Sequence, residues 1–380
     1  MLSARLQKIT LAFCSGLSAL VVGAGVGEIV VRHHERHRHT PPGTMPFLYY
    51  RSARYGYSLV RNSDYYGWAH VDGEGFRGRE VSVTKAPGSV RLMIVGSSTA
   101  FDVMVAGGDS AAWPARLEYW LNRLAGDSAE FEVINAGVPG YSAADDLIRL
   151  ELELYRYHPD IIVFYDGHND LSRALLAGPP AGPVPEPPRE LGTVTPWGDW
   201  LRRHSLLYGK LFGRYRLFAL RRWQTPGSGV ADQDQVAREA LAAGVVDFEH
   251  LVDCFATQTA ALGIQLVIPK LVQVAGSDTS PGPDAIGEST WSRWLPQVHF
   301  PVVLESYHQY NAALERVASR HRATWIPTDS FGLVGPRWYR AGDPMHFNEQ
   351  GADRMGKAMA EALLRAGGLH LQALGTSRPH

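Results

Sequence analysis

The stretch Arg91-Leu-Met-Ile-Val-Gly-Ser-Ser-Thr-Ala-Phe101 decides the fold. Four apolar residues lead directly into Gly96 and three hydroxyl residues. A continuous apolar run is typical of a strand that is buried on both faces of a parallel sheet. In open α/β sheets, ligands bind beyond the carboxyl ends of the strands, so these hydroxyl groups stand where chemistry would occur. The same residues also suit a turn that caps the next helix, and the stretch alone does not separate the two interpretations.

An alternation of strand, loop and helix runs through most of the chain after residue 88. Five apolar runs are predicted to be strands: 90–95, 131–134, 161–165, 264–268 and 324–326. Five further stretches are predicted to be helices: 111–124, 142–157, 233–262, 303–321 and 349–364. Interleaved strands and helices are typical of the α/β class, because crossover helices cover both faces of a parallel sheet. We therefore predict a three-layer α/β/α sandwich around a five-stranded parallel sheet.

Composition divides the chain into five segments. They are a short basic N-terminus (1–8), an apolar run (9–31), a linker and lead-in (32–88), the α/β domain (89–368) and a C-terminal tail (369–380). Within the domain, residues 171–231 form an insertion that is first Pro-rich and then rich in Trp, Tyr and Arg. We interpret it as a lid, a sugar-stacking surface, a membrane-facing patch or a plain surface excursion. Residues 271–300 are predicted to be a second loop.

The N-terminal segment has the properties of a membrane anchor. Arg5 and Lys8 precede an apolar run over 9–31 that only Glu28 interrupts. Its length suits a membrane-spanning helix better than a signal-peptide core. We therefore predict an uncleaved signal anchor that holds the α/β domain outside the cytoplasm. Cleavage after Ala24 as a signal peptide is the alternative.

Charge and cysteine content exclude several classes of protein. The 380 residues are 45% hydrophobic and 20% charged, which is ordinary globular composition. A formal net charge of -1 provides no basic field for nucleic acid. Two cysteines, Cys14 and Cys254, do not form a disulfide framework. The histidine-rich tract at 32–39 is typical of a solvated linker rather than a metal site.

Candidate catalytic residues follow the predicted strands. Ser98 comes after the first strand, Gly140 after the second and Asn169 after the third. Asp343 and His346 follow the fifth. A parallel sheet brings these loops to one edge, where they would supply the nucleophile, base, base-orienting acid and oxyanion donors of acyl transfer.

The spacing of Asp343 and His346 suits this chemistry. Both side chains come from one tight loop, so the carboxylate can hold the imidazole in one tautomer while His346 takes the proton of Ser98. Gly140 permits close backbone approach because it lacks a Cβ, and Asn169 offers an amide N–H. Each motif alone is a common turn or cap. Their joint occurrence, in order and each after a strand, favours an active site.

These blocks resemble the SGNH, or GDSL-type, hydrolase family. The matching residues are Gly96-Ser-Ser98, Gly140, Gly167-His-Asn-Asp170 and Asp343-Pro-Met-His346, and the resemblance covers about residues 88–366. It implies a flavodoxin-like α/β/α fold. It also implies a serine esterase that needs no metal or organic cofactor.

The resemblance further implies a role for each site residue. Ser98 would be the nucleophile, His346 the base and Asp343 its orienting acid. The N–H groups of Ser98 and Gly140, with the Asn169 side chain, would form the oxyanion hole. Behind the apolar run, the segment Asp72-Gly-Glu-Gly-Phe-Arg-Gly78 resembles the lead-in of membrane-anchored bacterial members.

One position departs from the family pattern. The usual Asp of the first block is Ser97 here, which leaves two adjacent serines. Alignment of Gly96 selects Ser98 as nucleophile, with Ser97 as the alternative. Residues 96–100 also resemble the nucleophile elbow of α/β-hydrolases. That fold usually separates its acid and histidine widely, so Asp343-x-x-His346 argues against it.

The expected function is hydrolysis of short acyl esters, such as O-acetyl groups on a glycan or lipid, through an acyl-enzyme. One alternative is an O-acyltransferase that uses the aromatic insertion between Trp197 and Trp223 to bind a cell-envelope glycan. Another is a catalytically silent, membrane-tethered module that binds polysaccharide. A nucleotide- or flavin-binding protein of the same fold would leave Asp343 and His346 unexplained.

Overall fold

The computed structural model describes residues 15–33, 49–177, 205–211, 233–275 and 285–366, apart from positions 17, 20, 53–55, 66, 67, 206, 209, 210 and 297. Most of the predicted insertion, the predicted C-terminal tail and positions 34–39 of the histidine tract lie outside the described residues. The chain divides into two units. The larger comprises 49–63, 68–184 and 229–380, and the smaller comprises 1–48, 64–67 and 185–228.

A structured lead-in precedes the main sheet in the chain. Four short strands precede the main sheet: β1 (Tyr49–Ser52), β2 (Gly56–Leu59), β3 (Ser63–Tyr65) and β4 (Ala69–Val71). β1 and β2 pair as an antiparallel ribbon. The glycine-rich turn after β4 closes around the buried carboxylate of Asp72, which accepts backbone N–H groups of Glu74, Phe76 and Val81 at 3.0, 2.8 and 3.0 Å. The hydrogen bonds to Asp72 therefore fix the geometry of the turns that were expected after residue 71.

A five-stranded parallel sheet forms the centre of the larger unit, as predicted. Its strands are β5 (Ser89–Gly96), β6 (Glu130–Asn135), β7 (Ile161–Tyr165), β8 (Gln265–Pro269) and β9 (Thr324–Ile326). They lie in the order β6-β5-β7-β8-β9. Every residue of β5 and β7 is buried, because helices cover both faces of the sheet.

Eight helices of the larger unit are described. They are α1 (Ser98–Phe101), α2 (Trp113–Ala125), α3 (Ala143–Leu152), α4 (His168–Ala177), α5 (Gln233–Ala261), α6 (Ala285–Trp294), α7 (Phe300–His321) and α8 (Glu349–Arg365). α2 packs against α8, while α5 packs against α3, α4 and α7. These two groups form the outer layers of the three-layer α/β/α sandwich.

One sequence prediction about a loop was wrong. Residues 271–300 were expected to be irregular, yet α6 occupies part of them. The residues before it, 276–284, are rich in Gly, Pro and Ser, and this composition masked the helical pattern that follows. Trp291 is buried from this helix and Leu295 from the turn that follows it, so core packing rather than local propensity holds the segment helical.

In the smaller unit, residues 21–33 are helical. The Glu28 carboxylate accepts hydrogen bonds from Arg32 Nε at 2.7 Å, Ser205 Oγ at 2.8 Å and the Leu207 N–H at 3.0 Å. Positions 9–14 of the predicted anchor lie outside the described residues. Across the part of the chain that is described, no helix combines the length and apolar character needed to cross a membrane.

Candidate active site

The turn after β5 separates the two adjacent serines. Gly96 has φ +148°, and a methyl group there would overlap the carbonyl oxygen of Tyr165 on the neighbouring strand. This close approach and the positive φ both require glycine. α1 begins at once, and it leaves Ser97 fully buried and Ser98 partly exposed. Only Ser98 is placed to meet a substrate.

Three predicted site residues form one hydrogen-bonded chain. His346 Nε2 lies 2.9 Å from Ser98 Oγ. The other ring nitrogen, Nδ1, lies 2.9 Å from Asp343 Oδ2 and 3.0 Å from Oδ1. The loop between β9 and α8 supplies both the acid and the imidazole, while β5 and α1 supply the hydroxyl. A proton can therefore pass from Ser98 Oγ to His346 along an existing hydrogen bond.

The Asp343 carboxylate is held in its charged form. Burial alone would raise the pKa of Asp343, but hydrogen bonds from the His346 ring and from the N–H groups of His346 and Met345 outweigh it. The pKa of Asp343 therefore lies below its usual value. The two N–H groups lie 2.9 and 3.1 Å from Oδ1. Because these N–H groups hold the Asp343 carboxylate in place, the carboxylate in turn fixes the orientation of the His346 imidazole.

Two of the predicted oxyanion residues, Gly140 on the loop after β6 and Asn169 in the first turn of α4, lie on segments that are joined to each other. Asn169 Nδ2 donates to the Tyr141 carbonyl at 2.7 Å, and Arg173 Nη2 donates to the Gly140 carbonyl at 2.8 Å. The Val138 N–H donates to the Gly96 carbonyl at 2.9 Å, which joins the same loop to the turn before Ser98. The loops after β5, β6 and β7 thus form one connected edge.

Tyr57 of β2 contacts the Gly140 loop, and sequence reasoning missed it. Tyr57 Oη donates to the Pro139 carbonyl at 3.3 Å, and this carbonyl shares its peptide plane with the N–H of Gly140. Gly140 has φ +89°, and a Cβ there would lie 2.6 Å from Tyr57 Oη. The Tyr57 hydroxyl therefore needs glycine at position 140 and orients the N–H that is a candidate oxyanion donor.

Arg77 holds the end of the helix that begins at Ser98, and it was also missed. Its buried guanidinium donates from Nη1 to the carbonyls of Phe101 and Asp102 at 2.7 and 2.6 Å, and from Nε to Asp109 Oδ1 at 2.8 Å. Burial raises the pKa of the Asp102 carboxyl to about 7, although the positive charge of Arg77 lowers it in part. The only sequence signal was the glycine-rich lead-in that contains Arg77.

A pair of buried acids lies behind the site. Asp146, from the first turn of α3, and Asp166, directly after β7, are both fully buried. Burial raises the pKa of each carboxyl well above its usual value, and neighbouring carboxylates add to the shift. The charge of Asp166 raises the pKa of Asp146, so one proton held by the pair would remove most of the charge repulsion.

Within the described ranges, no cluster of three or more His, Cys, Asp or Glu side chains could hold a metal ion.

The GDSL-like Lipase/Acylhydrolase family matches residues 94–354. No curated protein matches the sequence. Among solved structures, it is similar to Axe2, an acetylxylan esterase from Geobacillus stearothermophilus, at 14% identity and a TM-score of 0.43, covering 78% of this chain and 100% of that chain.

Two further structures show the same level of similarity. A GDSL-like lipase from Bacteroides thetaiotaomicron has 12% identity and a TM-score of 0.39, with 73% of this chain and 88% of that chain covered. TesA has 15% identity and a TM-score of 0.40, with 72% and 97% covered. The family match spans more than half of the chain and reaches from β5 into α8. The chain therefore belongs to the GDSL-like lipase/acylhydrolase family and is an ester-cleaving hydrolase.

Proposed function

We propose that this hydrolase works through a serine nucleophile, with Ser98, His346 and Asp343 as its catalytic triad. The observation that carries the proposal is the hydrogen-bonded chain from Ser98 Oγ through the His346 ring to the Asp343 carboxylate. In unrelated hydrolases, this order of hydroxyl, imidazole and carboxylate is recognised by its geometry rather than by sequence position.

The reaction proceeds in two halves. Ser98 Oγ attacks the ester carbonyl carbon while its proton passes to His346 Nε2. The tetrahedral intermediate then collapses, the bond to the alcohol oxygen breaks, and His346 returns the proton to that oxygen. In the second half, a water molecule attacks the acyl carbon while its proton passes to His346. The bond between the acyl carbon and Ser98 Oγ then breaks, the acid leaves, and His346 returns the proton to Ser98 Oγ.

The developing oxyanion needs hydrogen-bond donors that are already in place. We assign this role to the N–H groups of Ser98 and Gly140 and to the Asn169 side chain. The carboxamide of Asn169 carries two N–H bonds, and one of them serves the Tyr141 carbonyl. The second is available to an oxyanion. Loss of one such donor costs about 3–4 kcal/mol of transition-state stabilisation in other hydrolases.

We further propose that the acyl group is short, of the O-acetyl class. The backbone around Ser98 is closely packed, because a methyl group at Gly96 would overlap Tyr165 and one at Gly137 would overlap the backbone of Phe101. Neighbouring backbone atoms therefore occupy the space directly against Gly96 and Gly137, and we infer from this that the site takes a short acyl group. Rates on acetyl, butyryl and octanoyl esters of one alcohol test this. A preference for octanoyl would refute it.

Labelling by a fluorophosphonate probe tests the triad. We expect the probe to modify Ser98 in the full chain, and Ser98→Ala to abolish both labelling and hydrolysis of 4-nitrophenyl acetate. Ser97→Ala is the matched control, because its hydroxyl is buried, and it should keep both. Unchanged turnover in Ser98→Ala, or loss only in Ser97→Ala, would contradict the assignment.

We also propose that residues 9–31 attach the hydrolase to a membrane, with the catalytic unit outside the cytoplasm. Several apolar side chains of the described helix are exposed: Val21, Val22, Val26, Ile29 and Val30. The Glu28 carboxylate, the one acid of the run, is already paired and hydrogen bonded, which lowers the cost of its insertion in lipid. Extraction of cell membranes with alkaline carbonate tests attachment, and release of the full chain into the supernatant would exclude it.

A further inference from the structure

A half-exposed tryptophan stands beside the proposed catalytic base. The ring of Trp294, the last residue of α6, lies 6.0 Å from the ring of His346, centroid to centroid, with 42° between the planes. The indole N–H points to the Gly342 carbonyl at 3.3 Å. This contact ties the ring to the loop that carries Asp343 and His346. Even so, 45% of Trp294 remains exposed.

Trp294 is not needed to anchor α6 in the core. Trp291, one turn earlier in the same helix, is 1% exposed and donates its indole N–H to Gln273 Oε1 at 2.8 Å. Trp291 therefore already anchors α6 in the core. Ligand sites commonly contain a large aromatic surface that is exposed to water beside the reactive groups. A bound ligand gains affinity by burying that surface.

The position of Trp294 indicates which part of the substrate it meets. His346 receives the Ser98 proton and then delivers it to the oxygen of the leaving alcohol. The group bonded to that oxygen must therefore lie beside the imidazole during the reaction. Trp294 borders the imidazole, so it faces the alcohol half of the ester rather than the acyl half.

The surroundings of Trp294 favour a polar ring over an alkyl chain. Arg293 is exposed, and its Nη1 lies 3.8 Å from the Cβ position of Gly342, while Arg340 on the same loop is partly exposed. Arg340 pairs through Nη1 with Asp343 Oδ2 at 3.4 Å. A long alkyl alcohol offers no acceptor to Arg293 or to the remaining N–H groups of Arg340. A sugar ring can lay its C–H face on the indole and offer hydroxyl groups to the arginines.

We propose that Trp294 is the binding platform for the alcohol moiety and that this moiety is a saccharide, so that the substrate class is an O-acylated carbohydrate. The inference rests on the proposed triad, because it assumes that His346 protonates the leaving alcohol. It adds a residue that determines specificity, from a helix that the sequence pattern did not predict.

The test compares acetyl esters that differ only in the alcohol: glucose pentaacetate, ethyl acetate and dodecyl acetate. We expect Trp294→Ala to lower the ratio of kcat/KM for glucose pentaacetate to that for ethyl acetate at least tenfold, mainly through KM. Trp294→Phe keeps an aromatic face and should restore most of the ratio. Tyr119→Ala removes an aromatic ring of the same 45% exposure from α2 and should leave the ratio unchanged.

If Trp294→Ala leaves the ratio of kcat/KM values unchanged, the inference is overturned. If the variant loses kcat/KM selectively on dodecyl acetate, the saccharide is the wrong alcohol and Trp294 binds a lipid alcohol instead. Binding provides a second readout that does not need turnover. Titration of Ser98→Ala with glucose pentaacetate should give calorimetric heat that is absent in Ser98→Ala/Trp294→Ala. Failure of the triad would appear separately, as Ser98-independent hydrolysis of ethyl acetate.

Discussion

Nη1 of Arg77 donates a hydrogen bond to the carbonyl oxygen of Asp102 at 2.6 Å. This bond connects the lead-in, which precedes the sheet in the chain, to the end of the short helix that starts at Ser98. The Asp102 backbone is in the left-handed region, at φ +63°. A non-glycine residue in this region stores strain, which the surrounding contacts must offset. Arg77 is one of those contacts.

Removal of this guanidinium should destabilise the protein. We expect Arg77→Met to lower the free energy of unfolding by roughly 3 kcal/mol, because it leaves buried carbonyl groups without donors. The measurement is urea unfolding of the full chain. Arg79→Met is the matched control, since Arg79 is exposed and pairs with Glu118 and Glu132 at the surface. It should cost less than about 1 kcal/mol, and equal losses in the two variants would contradict this account.

Asp343→Asn should retain the fold and lose most of the catalysis. An asparagine carbonyl can still accept the backbone N–H groups of Met345 and His346, so the loop is expected to stay in place. The variant loses the negative charge that stabilises protonated His346 in the transition state. We expect kcat to fall by about 10³–10⁴-fold with little change in KM. A loss below tenfold at neutral pH would show that Asp343 does not orient the base.

Gly140→Ala tests the second oxyanion loop. The added Cβ would meet the Tyr57 hydroxyl and shift the peptide that carries the Gly140 N–H. We expect kcat to fall by about 10²-fold, the cost of losing one such donor. Gly126→Ala separates this effect from backbone strain, because Gly126 also has positive φ but no atom within 4 Å of its Cβ position. It should lose stability while kcat stays the same.

The buried acid pair should make stability depend on pH. The pKa of Asp166 is raised in the folded protein, so the folded state holds a proton that the unfolded chain releases above its ordinary carboxyl pKa. The stabilisation is fully present below that ordinary pKa and is lost as pH rises through the raised one. The melting temperature should therefore fall between about pH 4 and pH 8.

Asp166→Asn removes one of the two ionisable groups of this pair. We expect its melting temperature to fall by roughly 2–4 °C less than that of the wild type over the same pH range. Calorimetry at a series of pH values gives the comparison. Asp127→Asn, at an exposed position, should follow the wild-type curve. If the melting temperature of Asp166→Asn also follows the wild-type curve, the Asp146–Asp166 pair does not hold the proton.

Much of the fold could be predicted because each buried strand is a continuous apolar run. β7 and β9 were predicted with the correct ends, and the other three strands each differed by one residue at both ends. The family was recognisable for a similar reason, since its motifs follow strands at fixed places. Arg77 and Tyr57 could not be found in this way. They act through backbone carbonyls of loops that are distant in the sequence, and such contacts cannot be predicted from a pattern of residues.

Two other features depend on burial rather than pattern. Asp146 lies in the first turn of α3, where an acid suits the helix dipole, and its sequence position does not reveal that it is fully buried. Trp294 and Trp291 look equivalent in the sequence, three positions apart in a segment that seemed irregular. Only the packing of α6 separates the one that fills the core from the one beside His346.

The Ser98–His346 bond joins positions 248 residues apart. At ribosomal rates of about 5–20 residues per second, the histidine is made roughly 10–50 s after the serine. Under the proposed triad, the nascent chain carries the Ser98 hydroxyl throughout this interval without the base that activates it. Hydrolytic activity would then arise only when synthesis of the final loop and helix is nearly complete, and a chain truncated before Asp343 would be inactive.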